Sequence, residues 1–270
     1  MPRTLKLTVS YAGTRYVGWQ RQAEGTSIQG LLEEALARFE GAPVTVHGAG
    51  RTDAGVHAIG QIATAVVSCA HAVSSLQRGL NAMLPPDVRV TAVEEAPVDF
   101  HARFSARSKT YCYAIRNAPL AGPFEWPFVW HVPEALDLPA MQQAAAALIG
   151  TYDFAAFGSA GSGTHTTTRT ITRSEIFITD DVGRALSGWP GGPDRVRPTI
   201  VGTSGLLLYE VTGTGFLRHM VRAIVGTLVE TGRGQRASGT IEALLHGGVR
   251  ADAGATAPPQ GLFLVRVDYH

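Results

Sequence analysis

A single carboxylate, Asp53, lies in a glycine-rich stretch that runs from His47 to Ala58. It is the only acidic side chain between residues 41 and 86, so a mechanism with paired carboxylates would need its second member from elsewhere in the fold. Glycines permit a positive φ or the close approach of a ligand to the backbone. The glycines of this stretch are Gly48, Gly50 and Gly55. We interpret Asp53 as a candidate nucleophile or charged catalytic group, with an ordinary glycine-rich turn as the alternative.

The first two of these glycines follow a β-branched run, which is how a dinucleotide-binding fingerprint begins. The third glycine of that fingerprint would stand at residue 53, and an acid would follow about 20 residues later to bind a ribose. Neither condition is met, because residue 53 is the aspartate and the next acid is Asp87. The pattern excludes a nucleotide cofactor at this loop.

The segment His101–Arg116 combines basic and aromatic side chains and contains no acid. Its cations are Arg103, Arg107, Lys109 and Arg116, and its larger rings are Phe104, Tyr111 and Tyr113. Basic charge interleaved with aromatic rings is typical of a surface that binds RNA phosphates and unpaired bases. A solvated strand edge protected by its charges is the alternative.

A third candidate surface lies on the segment Phe216–Glu230, whose apolar periodicity predicts a helix. Arg218 and Arg222 are four residues apart and would share one face of it. Because stacked like charges are mildly unfavourable, an anionic partner near them is a reasonable expectation. The alternative is that both side chains extend into solvent.

Alternating strands and amphipathic helices must position these residues in the first part of the chain. The predicted strands are 5–11, 43–46, 60–67 and 88–93, and the predicted helices are 28–39 and 74–84. This order, β-α-β-β-α-β, indicates an α+β fold. The loop Ala12–Gly25 is unusually rich in arginine and aromatic residues for a plain connection.

The Pro- and Trp-rich stretch Pro119–Pro133 is the best candidate boundary between two halves, so we expect an N-terminal lobe, 1–118, and a C-terminal lobe, 119–270. The second lobe should contain a helix capped by Asp137, strands at 170–179, 206–211 and 261–269, and a short helix at 238–246. The stretches 158–165 and 180–198 carry no chemistry that we can assign.

Composition and residue spacing predict that the chain is not a membrane protein, a disulfide-stabilised protein or a metalloprotein. The chain has 270 residues, of which 45% are hydrophobic, and its net charge is +1. Lys6 and Lys109 are the only lysines among 23 basic residues; arginine suits phosphate binding, although biased codon usage would give the same count. We find no apolar signal region and no run that could span a bilayer, and therefore expect a cytoplasmic protein without a membrane segment. The two cysteines and nine histidines show no disulfide or metal spacing, so we expect no metal.

Six motifs in order carry a resemblance that covers Leu5 to Tyr269. They are Tyr16-Val-Gly-Trp-Gln-Arg-Gln22, Gly50-Arg-Thr-Asp-Ala-Gly-Val-His57, Asp99-Phe-His-Ala-Arg-Phe-Ser105, Lys109-Thr-Tyr-Cys-Tyr113, Phe216-Leu-Arg-His-Met-Val-Arg222 and Gly261-Leu-Phe-Leu264. This succession resembles the bacterial A-type tRNA pseudouridine synthases. The resemblance implies a two-lobed α+β fold with a central mixed or antiparallel sheet, flanking helices and an active-site cleft. It also implies a homodimer, no cofactor or metal, and isomerisation of uridine to pseudouridine at positions 38 to 40 of the tRNA anticodon stem-loop.

The resemblance assigns roles to individual residues. Asp53 matches the catalytic aspartate, Arg222 the arginine paired with it, Tyr111 the tyrosine that stacks on the target base, and Arg51 the arginine that assists base flipping. The remaining substrate-binding candidates are Leu262 of the last motif and the cations Arg103, Arg107 and Lys109.

Two other classes of function stay open at this point. A non-catalytic RNA-binding module would explain the basic and aromatic segment but not the carboxylate among glycines. A glycosidase with an aspartate nucleophile would explain Asp53 but not the basic surface. The atom that Asp53 attacks is also open, because addition to C6, attack on C1′ and proton removal from C2′ all need one charged group near the sugar.

Overall fold

A computed structural model describes residues 1–159, 166–179, 205–237 and 239–269. Of the two stretches without assignable chemistry, residues 160–165 of the first and all of the second, 180–198, lie outside these residues. The chain forms two compact units, Met1–Lys109 with Phe263–His270, and Thr110–Leu262. The division differs from the sequence-based lobes, since the boundary comes before residue 118 and the closing strand belongs to the first unit. The functional roles of lobes 1–118 and 119–270 stay a prediction.

The first unit contains a sheet centred on its first and third strands. Its strands are β1 (Arg3–Tyr11), β2 (Val46–Gly48), β3 (His57–Val67) and β4 (Val88–Ala96), joined by the closing strand β10 (Leu262–Asp268). Strand β1 lies antiparallel between β3 and β4, β2 is antiparallel to β3, and β10 is parallel to β3 at Phe263 and His57. The β2–β3 connection carries Asp53, as the sequence predicts.

Two helices complete the first unit, α1 (Ile28–Glu40) and α2 (Val73–Met83). Helix α1 begins where the Ser27 hydroxyl accepts a hydrogen bond from Gly30 N at 3.1 Å, and it ends at Gly41, whose φ is 72°. Helix α2 ends just before Pro85 and Pro86, and its Leu76 and Leu80 are fully buried. These local signals are sufficient to define both helices.

The strands of the second unit are β5 (Ser108–Arg116), β6 (Trp130–His131), β7 (Gly150–Asp153), β8 (Thr168–Thr179) and β9 (Leu206–Gly213). Four of them are hydrogen-bonded in the order β5-β9-β8-β7. The pairs β7–β8 and β8–β9 are antiparallel, and β6 is parallel to β5. With the helices of both units, these mixed strands confirm the predicted α+β fold.

The described ranges of the second unit contain three helices, α3 (Leu138–Ala146), α4 (Met220–Gly232) and α5 (Thr240–Leu245). The Asp137 carboxylate caps α3 by accepting from Ala140 N at 3.0 Å. Nearly all of α4 is buried, and it packs against α3. Single 3-10 turns occur at Gly13–Arg15, Trp126–Phe128, Ala155–Phe157, Arg250–Asp252 and Pro259–Gly261. No helix in the described parts of the chain is both long and apolar enough to cross a membrane.

The structure corrects the predicted helix 216–230. The helix begins at Met220, and His219 before it has a φ of 63°, a left-handed conformation that breaks a helix. Arg218 therefore precedes the helix and does not share a helical face with Arg222. The short strands β6 and β7 were not predicted.

Candidate active site

The connection between β2 and β3, residues 49–56, holds Asp53 in a backbone that is bonded to its own following strand. Ala49 N donates to Ile62 O at 2.8 Å, and the buried Gln61 side chain donates to Gly50 O at 2.8 Å. Val56 N closes a turn by donating to Asp53 O at 3.1 Å. Asp53 itself is half-buried. The loop is a fixed support for a carboxylate that solvent still reaches.

The loop 12–25 supports the Asp53 loop from outside. Trp19 N donates to Thr52 O at 3.0 Å, and the Trp19 ring is 2% exposed. Gly18 has a φ of 102°, and a Cβ there would lie 2.5 Å from Thr52 O and 3.0 Å from the carbonyl carbon of Asp53. Only a glycine permits this approach without movement of the loop. Sequence reasoning missed this support, although the Tyr16–Gln22 motif is its visible signal.

A buried hydroxyl pair fixes the loop from the sheet side. The Tyr11 hydroxyl and Thr52 Oγ1 are 2.8 Å apart, and both residues are buried. Burial raises the pKa of Tyr11 to about 12, while its hydrogen bonds with Thr52 and Gln61 act in the opposite direction. Tyr11 is therefore a neutral phenol at physiological pH and a structural partner of Thr52.

The loop glycines serve different purposes. Gly55 has a φ of 79°, in agreement with the predicted need for a left-handed residue. Gly48 is required for packing, because a Cβ there would lie 2.4 Å from the ring of Trp19. Close approach of a ligand to this backbone stays a prediction.

Arg51 is exposed on the same loop as Asp53, and its Nε donates to Gln20 Oε1 at 3.0 Å. The predicted base-flipping arginine and the predicted nucleophile are thus two residues apart on one rigid connection.

The basic and aromatic segment of the first unit is only partly a free surface. Arg103 and Arg107 are exposed, Phe104 is 77% exposed, and the Arg103 guanidinium lies 5.7 Å from the Phe104 ring centroid. Lys109 is half-buried, and burial, followed by the charge of Arg103, lowers its pKa. Burial removes part of the hydration of this ammonium group, and an anion bound beside it would offset that loss.

Arg116 does not belong to that surface. It is 3% exposed and its Nε donates to both carboxylate oxygens of Glu125 at 3.0 Å. This buried pair ties β5 to the connection that follows it, so the expectation that Arg116 contributes to an open basic surface is wrong.

The two candidate tyrosines of β5 lie in the second unit and have different surroundings. Tyr111 is 7% exposed, and its ring centroid is 5.0 Å from that of Phe216 at an interplanar angle of 79°. Tyr113 is fully buried, and its hydroxyl donates to Pro258 O at 2.7 Å. Tyr113 is therefore a core phenol, and its burial raises its pKa. Sequence reasoning did not identify Phe216 as the neighbour of Tyr111.

Arg222 and Leu262 also lie in the second unit. Arg222 is half-buried in the first turn of α4; its Nε donates to Ala257 O at 2.7 Å, and Ala257 N donates to Arg222 O at 3.0 Å. The first bond holds the Arg222 side chain and the second holds its backbone, so both are fixed to a neighbouring segment. Leu262 is 5% exposed and follows Gly261, where a Cβ would lie 2.6 Å from the Tyr113 ring. The structure thus groups Asp53, Arg51, Arg103, Arg107 and Lys109 in one unit and Tyr111, Arg222 and Leu262 in the other.

In the described parts of the chain, no group of three or more His, Cys, Asp or Glu side chains could hold a metal ion.

The profile of the tRNA pseudouridine synthase family matches residues 7–105 and 144–270. The chain belongs to the tRNA pseudouridine synthase family. Its members are isomerases that convert uridine to pseudouridine.

Similar proteins are named tRNA pseudouridine synthase A. One from Syntrophotalea carbinolica is 43% identical over 98% of this chain and 96% of its own length. One from Myxococcus xanthus is 43% identical over 100% of this chain and 92% of its own length. One from Geotalea uraniireducens is 40% identical over 99% of this chain and its full length. The similarity thus extends over both units, and each predicted site residue lies inside it.

Proposed function

We propose that this family member isomerises uridine to pseudouridine in the anticodon stem-loop of tRNA, at positions 38 to 40, with Asp53 as its nucleophile. The observation that supports it best is the placement of Asp53, a half-buried carboxylate on a loop whose backbone is held by Trp19, Gln61 and the Tyr11–Thr52 pair. Fixed placement with an accessible side chain is what attack on a nucleotide requires.

The reaction breaks the N1–C1′ bond, turns the uracil and forms a C5–C1′ bond, after which C5 loses its proton and N1 gains one. The target atom is inaccessible inside a stacked stem, so the nucleotide must be extruded from the RNA. One ionised carboxylate next to the sugar is sufficient for three routes: addition to C6, attack on C1′, or proton removal from C2′. The proposal assigns Asp53 to this step without choosing among the routes.

The other site residues have roles that follow from their chemistry. Arg222 would pair with Asp53, as the sequence motifs imply, and the hydrogen bond from its Nε to Ala257 O restricts the orientation of its side chain. Tyr111 would stack on the extruded base, a contact of about 1–3 kcal/mol that permits rotation of the base within the plane. Leu262 would pack against the same base, and Arg51 would assist its extrusion from the RNA.

RNA phosphates would bind along the exposed part of the basic segment. Arg103 and Arg107 are exposed, and the adjacent Phe104 ring offers a surface for a base. Lys109 adds a partly desolvated charge. We also propose that the enzyme acts as a homodimer in the cytoplasm, on the basis of the sequence motifs; sedimentation analysis would test the dimer.

The decisive experiment measures tritium release from tRNA labelled at C5 of uridine. Wild-type protein should release tritium from transcripts with uridine at positions 38 to 40, and substitution of those uridines by cytidine should stop it. Asp53→Asn should abolish release and retain tRNA binding, because the change removes the charge with little change in shape. Retention of activity within about tenfold, a barrier change of only about 1.4 kcal/mol, would contradict the role of Asp53.

The same assay separates the alternatives. Binding of tRNA without release would indicate an RNA-binding module, and release of free uracil would indicate a glycosidase. Release from transcripts lacking uridine at positions 38 to 40 would show that the site specificity is different.

A further inference from the structure

A chain of side-chain hydrogen bonds connects helix α1 to Arg51 on the Asp53 loop. Glu33 Oε1 accepts from Gln29 Nε2 at 3.0 Å, and Gln29 Oε1 accepts from Gln20 Nε2 at 2.8 Å. Gln20 Oε1 then accepts from Arg51 Nε at 3.0 Å. All four residues belong to the first unit, and the chain ends in a carboxylate on the helix and a guanidinium on the loop.

The two ends give this chain a fixed direction. A guanidinium can only donate hydrogen bonds, and a carboxylate can only accept them. Each glutamine must therefore turn its oxygen toward Arg51 and its nitrogen toward Glu33. Reversal of either amide would place donor against donor on one side and acceptor against acceptor on the other, so one arrangement is strongly favoured.

The acceptor end is anchored to the strand that leads into the Asp53 loop. Glu33 Oε1 also accepts from Val46 N at 3.1 Å, and Gln29 Nε2 also donates to Val46 O at 3.0 Å. Glu33 is 13% exposed, and its second oxygen lies 3.2 Å from Arg21 Nη1. Because Val46 is the first residue of β2, the chain is tied to both the helix and the strand.

The donor end leaves the outer part of the guanidinium available. The bond to Gln20 occupies Nε, whereas the terminal nitrogens of an arginine carry four further N–H groups. Within the described ranges of the chain, no second hydrogen bond or ion pair of the Arg51 side chain is found. A pair of terminal N–H groups matches the spacing of two phosphate oxygens.

We propose that Gln20 is a positioning residue which, through Gln29 and Glu33, holds Arg51 with its terminal N–H groups directed at an RNA phosphate. The inference rests on the proposed function, because it concerns how Arg51 meets RNA. A long exposed arginine would otherwise sample many rotamers, and binding would have to restrict them. The chain of hydrogen bonds restricts the rotamers of Arg51 before RNA binds.

A double-mutant cycle tests the inference. Gln20→Ala should lower the single-turnover rate of tritium release about fivefold, the loss expected for one ordinary intramolecular hydrogen bond. In an Arg51→Ala background the same change should have no further effect. The matched control is Gln22→Ala, since Gln22 lies on the same loop but donates to Val17 O; its rate should stay within about twofold of wild type. Equal losses with and without Arg51, or no loss, would overturn the inference.

A second measurement does not depend on activity. In protein labelled with ¹⁵N-arginine, the Arg51 Nε–H proton should exchange slowly in wild type and rapidly in Gln20→Ala, with an intermediate rate in Glu33→Gln. The same exchange rate in wild type and Gln20→Ala would refute the positioning role. If the wild-type protein released no tritium but its Arg51 Nε–H exchanged slowly, the proposed function would be contradicted, whereas the hydrogen bonds that position Arg51 would be confirmed.

Discussion

Gly18→Ala tests whether the backbone of loop 12–25 determines the position of Asp53. The new methyl group would lie 2.5 Å from Thr52 O, whereas ordinary contact begins at 3.4 Å, so that oxygen would have to withdraw by about 0.9 Å. Thr52 is adjacent to Asp53, and a displacement of the reacting group by about 1 Å can reduce a rate about 100-fold. That reduction corresponds to about 2.7 kcal/mol of barrier. We expect a loss of this size in the single-turnover rate.

The substitution also strains the backbone, and a control must remove that contribution. Gly18 has a φ of 102°, a region that costs a non-glycine residue about 1–3 kcal/mol. Gly41, at the end of α1, has a φ of 72° and no atom near its hypothetical Cβ. Gly41→Ala should therefore lose stability through strain alone, with a decrease in Tm of about 2–4 °C for each kcal/mol and a normal rate.

The assay is single-turnover tritium release at saturating enzyme, combined with thermal unfolding of both variants. A Gly18→Ala protein that is destabilised like Gly41→Ala but turns over within about threefold of wild type would refute the reasoning. It would show that the loop tolerates the methyl group without moving the carboxylate.

Three further predictions concern the other site residues. Arg222→Ala should lower kcat about tenfold more than Arg218→Ala, since Arg222 is half-buried and hydrogen-bonded while Arg218 is exposed before the helix; equal losses would contradict this. Tyr111→Leu should abolish turnover and Tyr111→Phe should retain part of it, whereas Tyr113→Phe should keep its rate and lose about 1 kcal/mol of stability with its hydrogen bond. Lys109→Met should stabilise the protein near pH 7, because burial lowers the pKa of Lys109 and the folded state therefore disfavours its charged form. The stability of the wild type should rise as the pH increases from that lowered pKa toward the ordinary lysine value. The difference in stability between the two proteins should narrow over the same pH range. The same variant should reduce the slope of log tRNA affinity against log salt by about 1, and an unchanged slope would exclude a phosphate contact.

Local signals in the sequence were sufficient for most of the fold. Asp137 was predicted as a helix cap, and its carboxylate accepts a backbone N–H in the structure. Helix α4 shows the limit of such signals. The apolar periodicity continues through Phe216 and Met220, but it does not report backbone dihedrals, and the left-handed His219 separates the two.

Long-range pairing limited the prediction of the basic surface. Arg116 follows three other cations without an intervening acid, which favours an exposed charged strand. Its partner, Glu125, lies in the Pro- and Trp-rich connection, and nothing local identifies that residue as the one that would neutralise a buried arginine. The pair is bidentate and enclosed, so loss of either member would leave an uncompensated buried charge.

In the candidate site, the side chains that would perform the chemistry are easier to identify from the sequence than the backbone contacts that support them. The proposed chemistry depends on the side chains of Asp53, which its glycine-rich surroundings indicate, and of Arg222, which the family resemblance indicates. The support of Asp53 depends on backbone atoms, since Trp19 N binds Thr52 O and Gly18 leaves room for that carbonyl. Such contacts leave the Asp53 side chain half-buried, because they hold the loop without covering the carboxylate. A site that must be rigid and still admit an extruded nucleotide is well served by constraints of this kind, and their signature in a sequence is a glycine in an aromatic loop, not a reactive group.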